Sequence, residues 1–187
     1  MTMPSTVIVL CTGRCGSTTL SKACAHFTNF SAGHETRTHL TGPDRFDFGE
    51  NRIEIDNRLA WLLGRLDAVW GDRAAYVHLS RNPEEVAASF AARAHQGILK
   101  AYRTDILSRS RYKSRGVPVI EFCRDYVENV TRNIELFLRD KTHVMEMTLE
   151  TMESDFDRFT GWIGAEGDLD AARAELRITH NATKANS

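Results

Sequence analysis

"TVIVLCTGRCGSTTLSKAC", residues 6–24, decides the fold. Val7 to Cys11 is a short unbroken apolar run, the pattern of a strand buried on both faces of a parallel sheet. Gly13 and Gly16 punctuate the turn that follows, and a helix is expected from about Ser17 to Phe27. Strand, glycine turn and helix start together aim backbone N–H groups and the positive end of a helix dipole at one anion. Ser17 and Thr18 add hydroxyl donors, and Arg14 adds a planar, permanently charged fork. A glycine turn with no ligand is the bland alternative.

The letters of the loop separate it from two familiar kinds. A Walker A loop needs G-x-x-x-x-G-K-[ST], whereas Gly16 runs straight into Ser17 with no lysine. No buried strand is read as ending in an acidic residue for magnesium, because "YVHLS" (76–80) leads into Arg81. ATP-driven phosphoryl transfer is therefore disfavoured. A cysteine phosphatase would carry arginine six residues after its nucleophile, yet Cys11 is followed there by Ser17 and Cys15 by Ser21.

Further along, "FTNFSA" (27–32) reads as a weaker strand and "GHETRTHLTGPDRFDFGE" (33–50) as a polar loop. "RIEIDNRLAWLLGRLDAVW" (52–70) sets Ile55, Leu59, Leu62, Leu63, Leu66, Val69 and Trp70 at helical spacing. "AAYVHLS" (74–80) predicts a strand and "RNPEEVAASFAAR" (81–93) a helix, with Asn82 as its cap and Pro83 at its first position. Residues 95–116 are basic and carry no clear pattern. A long amphipathic helix (117–140), a strand (142–147), a helix (154–164) and a polar tail complete the chain. Strands alternating with helices predict an α/β fold: a P-loop-like, three-layer α/β/α domain with a mainly parallel central sheet, spanning 1–187 as one unit. Ligands of such sheets sit beyond the strand carboxyl ends.

Composition narrows the class. The 187 residues are 42% hydrophobic, enough for a buried core. Twenty-four Lys and Arg against 25 Asp and Glu give no basic excess for coating nucleic acid. Cys11, Cys15, Cys24 and Cys123 form no CxxC pair and read as buried free thiols, with no metal site expected. The apolar run 7–11 is too short for a signal-peptide core or a membrane span, so a cytoplasmic protein is expected. Glycosylation-type triplets at Asn29, Asn129 and Asn181 are then chance matches.

In "HLSRNPEEVAASF" an arginine, Arg81, leaves a strand end, and Ser89 follows eight residues later on the helix face shared with Glu85 and Arg93. Singly, each has an ordinary reading as surface charge or mid-helix serine. Together, "CTGRCGSTTL" and "HLSRNPEEVAASF" resemble the two nucleotide signatures of sulfotransferases that use 3′-phosphoadenosine 5′-phosphosulfate (PAPS). The first is similar to TGRSGST of carbohydrate-type members and PKSGTTW of cytosolic ones. The second is similar to their R-x-P with a serine eight residues after the arginine. "HVMEMTLETMESDFDRFTGWIG" (143–164) weakly resembles the late strand and helix of the same family.

The resemblance implies that Arg14, Gly16, Ser17 and Thr18, with Cys15 and Thr19 in the same loop, hold the 5′-phosphosulfate, and that Arg81 and Ser89 hold the 3′-phosphate. Sulfuryl transfer needs no magnesium clamp, which accounts for the missing lysine. The late R-K-G of many cytosolic members is absent; "THNATK", ending at Lys184, is the candidate substitute. The chain is short for the family, so substrate lids are reduced.

In-line attack on sulfur needs a base for the acceptor proton and a cation on the departing oxygen. Arg14 is the candidate cation. Glu35 is the first candidate base, with His34 and His39 behind it, or all three are solvated loop residues. "RAHQGILKAYRTDILSRSRYKSR" (93–115), with Tyr102 and Tyr112, reads either as a groove for an anionic glycan or acidic peptide or as a solvated face. The expected acceptor is a small molecule or glycan. Two rivals remain: a small metabolite kinase with a degenerate loop, and a non-catalytic module that binds PAPS or its product adenosine 3′,5′-bisphosphate (PAP).

Overall fold

The computed structural model describes residues 3–107, 116–178 and 180. Strands β1 (Thr6–Cys11), β2 (Ser31–His34), β3 (Arg52–Ile55), β4 (Ala75–Ser80) and β5 (Val144–Thr148) form one sheet in the order β2-β3-β1-β4-β5. Every pairing is parallel. The helices are α1 (Ser17–Cys24), α2 (Leu63–Val69), α3 (Pro83–Ala91), α4 (Gly97–Ala101), α5 (Val119–Leu138), α6 (Met152–Ile163) and α7 (Leu169–Leu176).

β1 lies in the middle and is buried throughout. Its alternate side chains serve two cores. Ile8 and Leu10 pack with Tyr76 against Val86 and Phe90 of α3 and Tyr126 and Ile134 of α5. Val7, Val9 and Cys11 pack on the opposite face against Leu20 of α1 and Phe156 and Phe159 of α6. The result is the expected α/β/α sandwich with a wholly parallel sheet.

Four local expectations are revised. The second strand is Ser31–His34 rather than 27–32, and Phe27 instead makes an isolated antiparallel bridge to Gly167. Residues 52–70 do not form one helical stretch. Arg52–Ile55 enters the sheet between β2 and β1, Asn57–Trp61 is a 3-10 helix, and α2 starts only at Leu63. Four residues of strand and the first turn of a helix share their apolar spacing, so periodicity alone could not divide them. Residues 97–107 are ordered as α4 and a π-helical turn, Tyr102–Leu107. The polar tail contains α7, started by Asp168 accepting the Ala171 N–H at 2.9 Å.

The division at residue 55 overturns one further expectation. β3 does run into an acidic residue, Asp56, which is fully buried. Its carboxylate is already taken: Oδ2 accepts from the buried Arg45 guanidinium, and Oδ1 accepts the Arg58 N–H at 2.8 Å.

The strand order also creates a crevice. After β1 the chain passes through α1 towards β2 at one edge, whereas after β4 it passes through α3 and α5 towards β5 at the other. The connections leaving these neighbouring strands diverge, which opens a ligand cleft at their carboxyl ends.

Candidate functional site

Two loops meet at that cleft. The first, after β1, has Gly13 at φ 84°, Arg14 at φ 63° and Gly16 at φ 87°, all left-handed. A Cβ on Gly13 would stand 2.6 Å from Asn57 Nδ2, and one on Gly16 would stand 2.8 Å from Leu149 Cδ1. Both positions favour glycine for backbone angle, while the close atoms are the ends of side chains that must shift to admit a Cβ. Tyr126 of α5 anchors the loop by donating its hydroxyl to the Thr12 carbonyl at 3.0 Å. α1 then starts at Ser17 with no side-chain hydrogen bond from its cap residue Gly16, so the positive end of its dipole lies at the cleft.

Arg14 has a backbone conformation that non-glycine residues seldom adopt. The second loop supports it. Arg14 Nε donates to Ser89 Oγ at 2.9 Å, and Arg81 Nη1 donates to the Arg14 carbonyl at 3.4 Å. The residues of the second signature thus grip the arginine of the first. Arg81 also turns its Nε, at 2.9 Å, and Nη2 onto Glu85 Oε2, one helical turn further on.

Arg14, Gly16, Ser17, Thr18, Thr19, Arg81 and Ser89 wall one cavity of about 470 Å³, with Leu149, Leu176 and Ile178 supplying apolar wall. His180 closes one side, with Nε2 2.6 Å from Glu175 Oε1 and Nδ1 3.1 Å from Lys22 Nζ. Burial, and then the neighbouring charges of Arg93 and Arg81, lower the Arg14 pKa from its usual value. Arg81 and Arg93 crowd like charge onto Arg14 at the wall of this cavity, a concentration of positive charge that suits an anion.

Cys15, placed in the same loop by the sequence, faces away. It is fully buried in the core with Cys11, and a hydrogen bond to Cys15 followed by burial pushes the Cys11 thiol well up. Cys15 can offer the cleft only its backbone.

At the end of β2, His34 Nε2 lies 3.0 Å from Ser17 Oγ, so this histidine touches the phosphate loop. Glu35 follows at φ 53°, and its carboxylate pairs with the Arg58 guanidinium. His39 is exposed. The segment is pinned by Glu54, which sequence reasoning missed. Its buried carboxylate accepts the Thr36 N–H and hydroxyl, each at 2.8 Å, and Arg52 Nη2 at 2.8 Å. A charged residue between two isoleucines in "RIEI" was the available signal, since a carboxylate on a doubly covered strand must find partners. Tyr112 and Lys184 lie outside the described residues.

No protein-family model matches the chain, and no curated protein matches it in sequence. Solved structures do match its fold. The sulfotransferase domain from the curacin biosynthetic pathway aligns with a TM-score of 0.65 at 11% identity, over 96% of this chain and 80% of that one. Mouse sulfotransferase SULT7A1, complexed with PAP, aligns with a TM-score of 0.57 at 14% identity, over 92% of this chain and 64% of that one. The chain has the sulfotransferase fold.

Proposed function

We propose that this chain is a PAPS-dependent sulfotransferase that moves a sulfuryl group to the hydroxyl, or amine, of a small-molecule or glycan acceptor without a metal ion. One observation carries the reading. Two loops on neighbouring strands wall a single cavity, and Ser89 and Arg81 of the second loop hydrogen-bond to Arg14 of the first. The residues fit the nucleotide. The left-handed turn at residues 13, 14 and 16 and the start of α1 at Ser17 suit a 5′-phosphosulfate, Arg81 and Ser89 suit a 3′-phosphate, and Leu149, Leu176 and Ile178 offer an apolar wall to a purine.

When bound, that nucleotide supplies a sulfuryl group on a phosphate leaving group. The protein's part is charge, position and a base. Arg14 holds positive charge at the 5′ end without giving up a proton. Glu35 takes the acceptor proton, its carboxylate oriented by Arg58. The kinase alternative has no lysine in its loop, and the one acid beyond β3, Asp56, is committed to Arg45.

Thermal unfolding provides the test. PAP with a chelator present should stabilise the protein by about 2.7 kcal/mol at a hundredfold excess over its Kd, and by more than ADP does at the same concentration. A preference for ATP with magnesium would point to a kinase instead. Among acceptors that are turned over, Glu35→Gln should abolish transfer while PAP affinity stays near wild type. PAP binding without turnover on any acceptor, unaffected by Glu35→Gln, would point to the binding module.

A further inference from the structure

His34 sits on unusually constrained backbone. β2 stays paired to its last residue, His34 opposite Ile55, and the Glu35 N–H then donates to the Ile55 carbonyl at 2.9 Å. Two residues on, Thr36 is tied by its N–H and hydroxyl to the two oxygens of buried Glu54. The imidazole is thereby presented to the first residue of α1, with Nε2 3.0 Å from Ser17 Oγ.

A serine hydroxyl has one proton to donate, and an ionised phosphate oxygen only accepts. If the ligand takes the Ser17 proton, the 3.0 Å contact survives only when the hydrogen lies on His34 Nε2. We infer that nucleotide binding fixes His34 as an Nε2–H donor to Ser17, so that His34 is a positioning residue of the phosphate site and not the base of the reaction. Its hydrogen bond holds the Ser17 oxygen and directs the serine proton at the 5′-phosphate. Donors in series also polarise one another, which strengthens the bond to the ligand. The base role is left to Glu35. The inference rests on the nucleotide reading above.

PAP is the probe, followed by calorimetry and by ¹⁵N spectra of the histidine rings. Glutamine carries an amide N–H that can stand in for Nε2–H, whereas leucine carries none. His34→Gln should bind PAP within about twofold of wild type, and His34→Leu about five- to tenfold more weakly, the size of one hydrogen bond. On a Ser17→Ala background, His34→Leu should cost nothing further. In the wild-type complex the His34 Nε2 resonance should be that of a protonated nitrogen.

Wild-type affinity in His34→Leu, glutamine no better than leucine, a leucine effect that persists without Ser17, or an unprotonated Nε2 in the complex would each overturn the inference while leaving PAP binding itself intact. Failure of the folded wild-type protein to bind PAP would instead remove the nucleotide reading, and this inference with it. The spectrum of the wild-type complex decides the matter even if a variant folds poorly.

Discussion

Arg14 links the two halves of the site, and its neighbours show what each residue contributes. Its backbone is left-handed, its guanidinium donates to Ser89, and Arg81 holds its carbonyl. Under the proposed reading, replacing Arg81 by glutamine removes a charge-assisted donor from the 3′ side. PAP affinity is expected to fall about 10- to 100-fold, against a change under about twofold for adenosine 5′-monophosphate, both measured by calorimetry. Equal losses for the two ligands would place Arg81 at the 5′ end instead. At this scale residue type and spacing together grouped Arg14, Ser17, Arg81 and Ser89, which wall one cavity in the structure. The sequence was silent where partners come from distant segments. Nothing in the letters pairs Glu35 with Arg58 or brings His34 to Ser17, because those contacts depend on the parallel register of β2 with β3.

Among the elements, β3 was the least legible and is the most consequential. Its four residues share apolar spacing with a helix start, yet they pair on both sides, with β2 and with β1. They carry Glu54, which is fully buried and holds the turn after β2. Arg52, its ionic partner, is 19% exposed against 0% for Glu54. Glu54→Gln leaves that cation and the Thr36 donors poorly matched. A loss of about 2–4 kcal/mol is expected, read as a lower urea midpoint with an unchanged slope. The candidate base and His34 lie within two residues of Thr36, so disorder of the turn should accompany the loss of stability. An unchanged midpoint would mean that water replaces the carboxylate at no cost, and that the turn holds itself.

For the molecule as a whole, the alternation of strands and helices correctly gave the layers and the parallel sheet, since those follow from burial on both faces of β1. Strand order was not readable, because it depends on which edges meet after collapse. That order sets β1 beside β4 with Cys11 opposite Leu79 at the carboxyl ends. The two loops of the cleft are thus mounted about 4.8 Å apart, one ladder spacing, on β1, which is buried throughout, and β4, which is buried up to its last residue. Under the proposed nucleotide reading, the cleft is a fixed gauge for the separation of two phosphates around a ribose. Moving one phosphate from the 3′ to the neighbouring 2′ oxygen should therefore be felt as misfit, and adenosine 2′,5′-bisphosphate should bind about tenfold more weakly than its isomer in the same calorimeter. A protein that accepted both alike would have a compliant hinge where the sheet has a rigid frame.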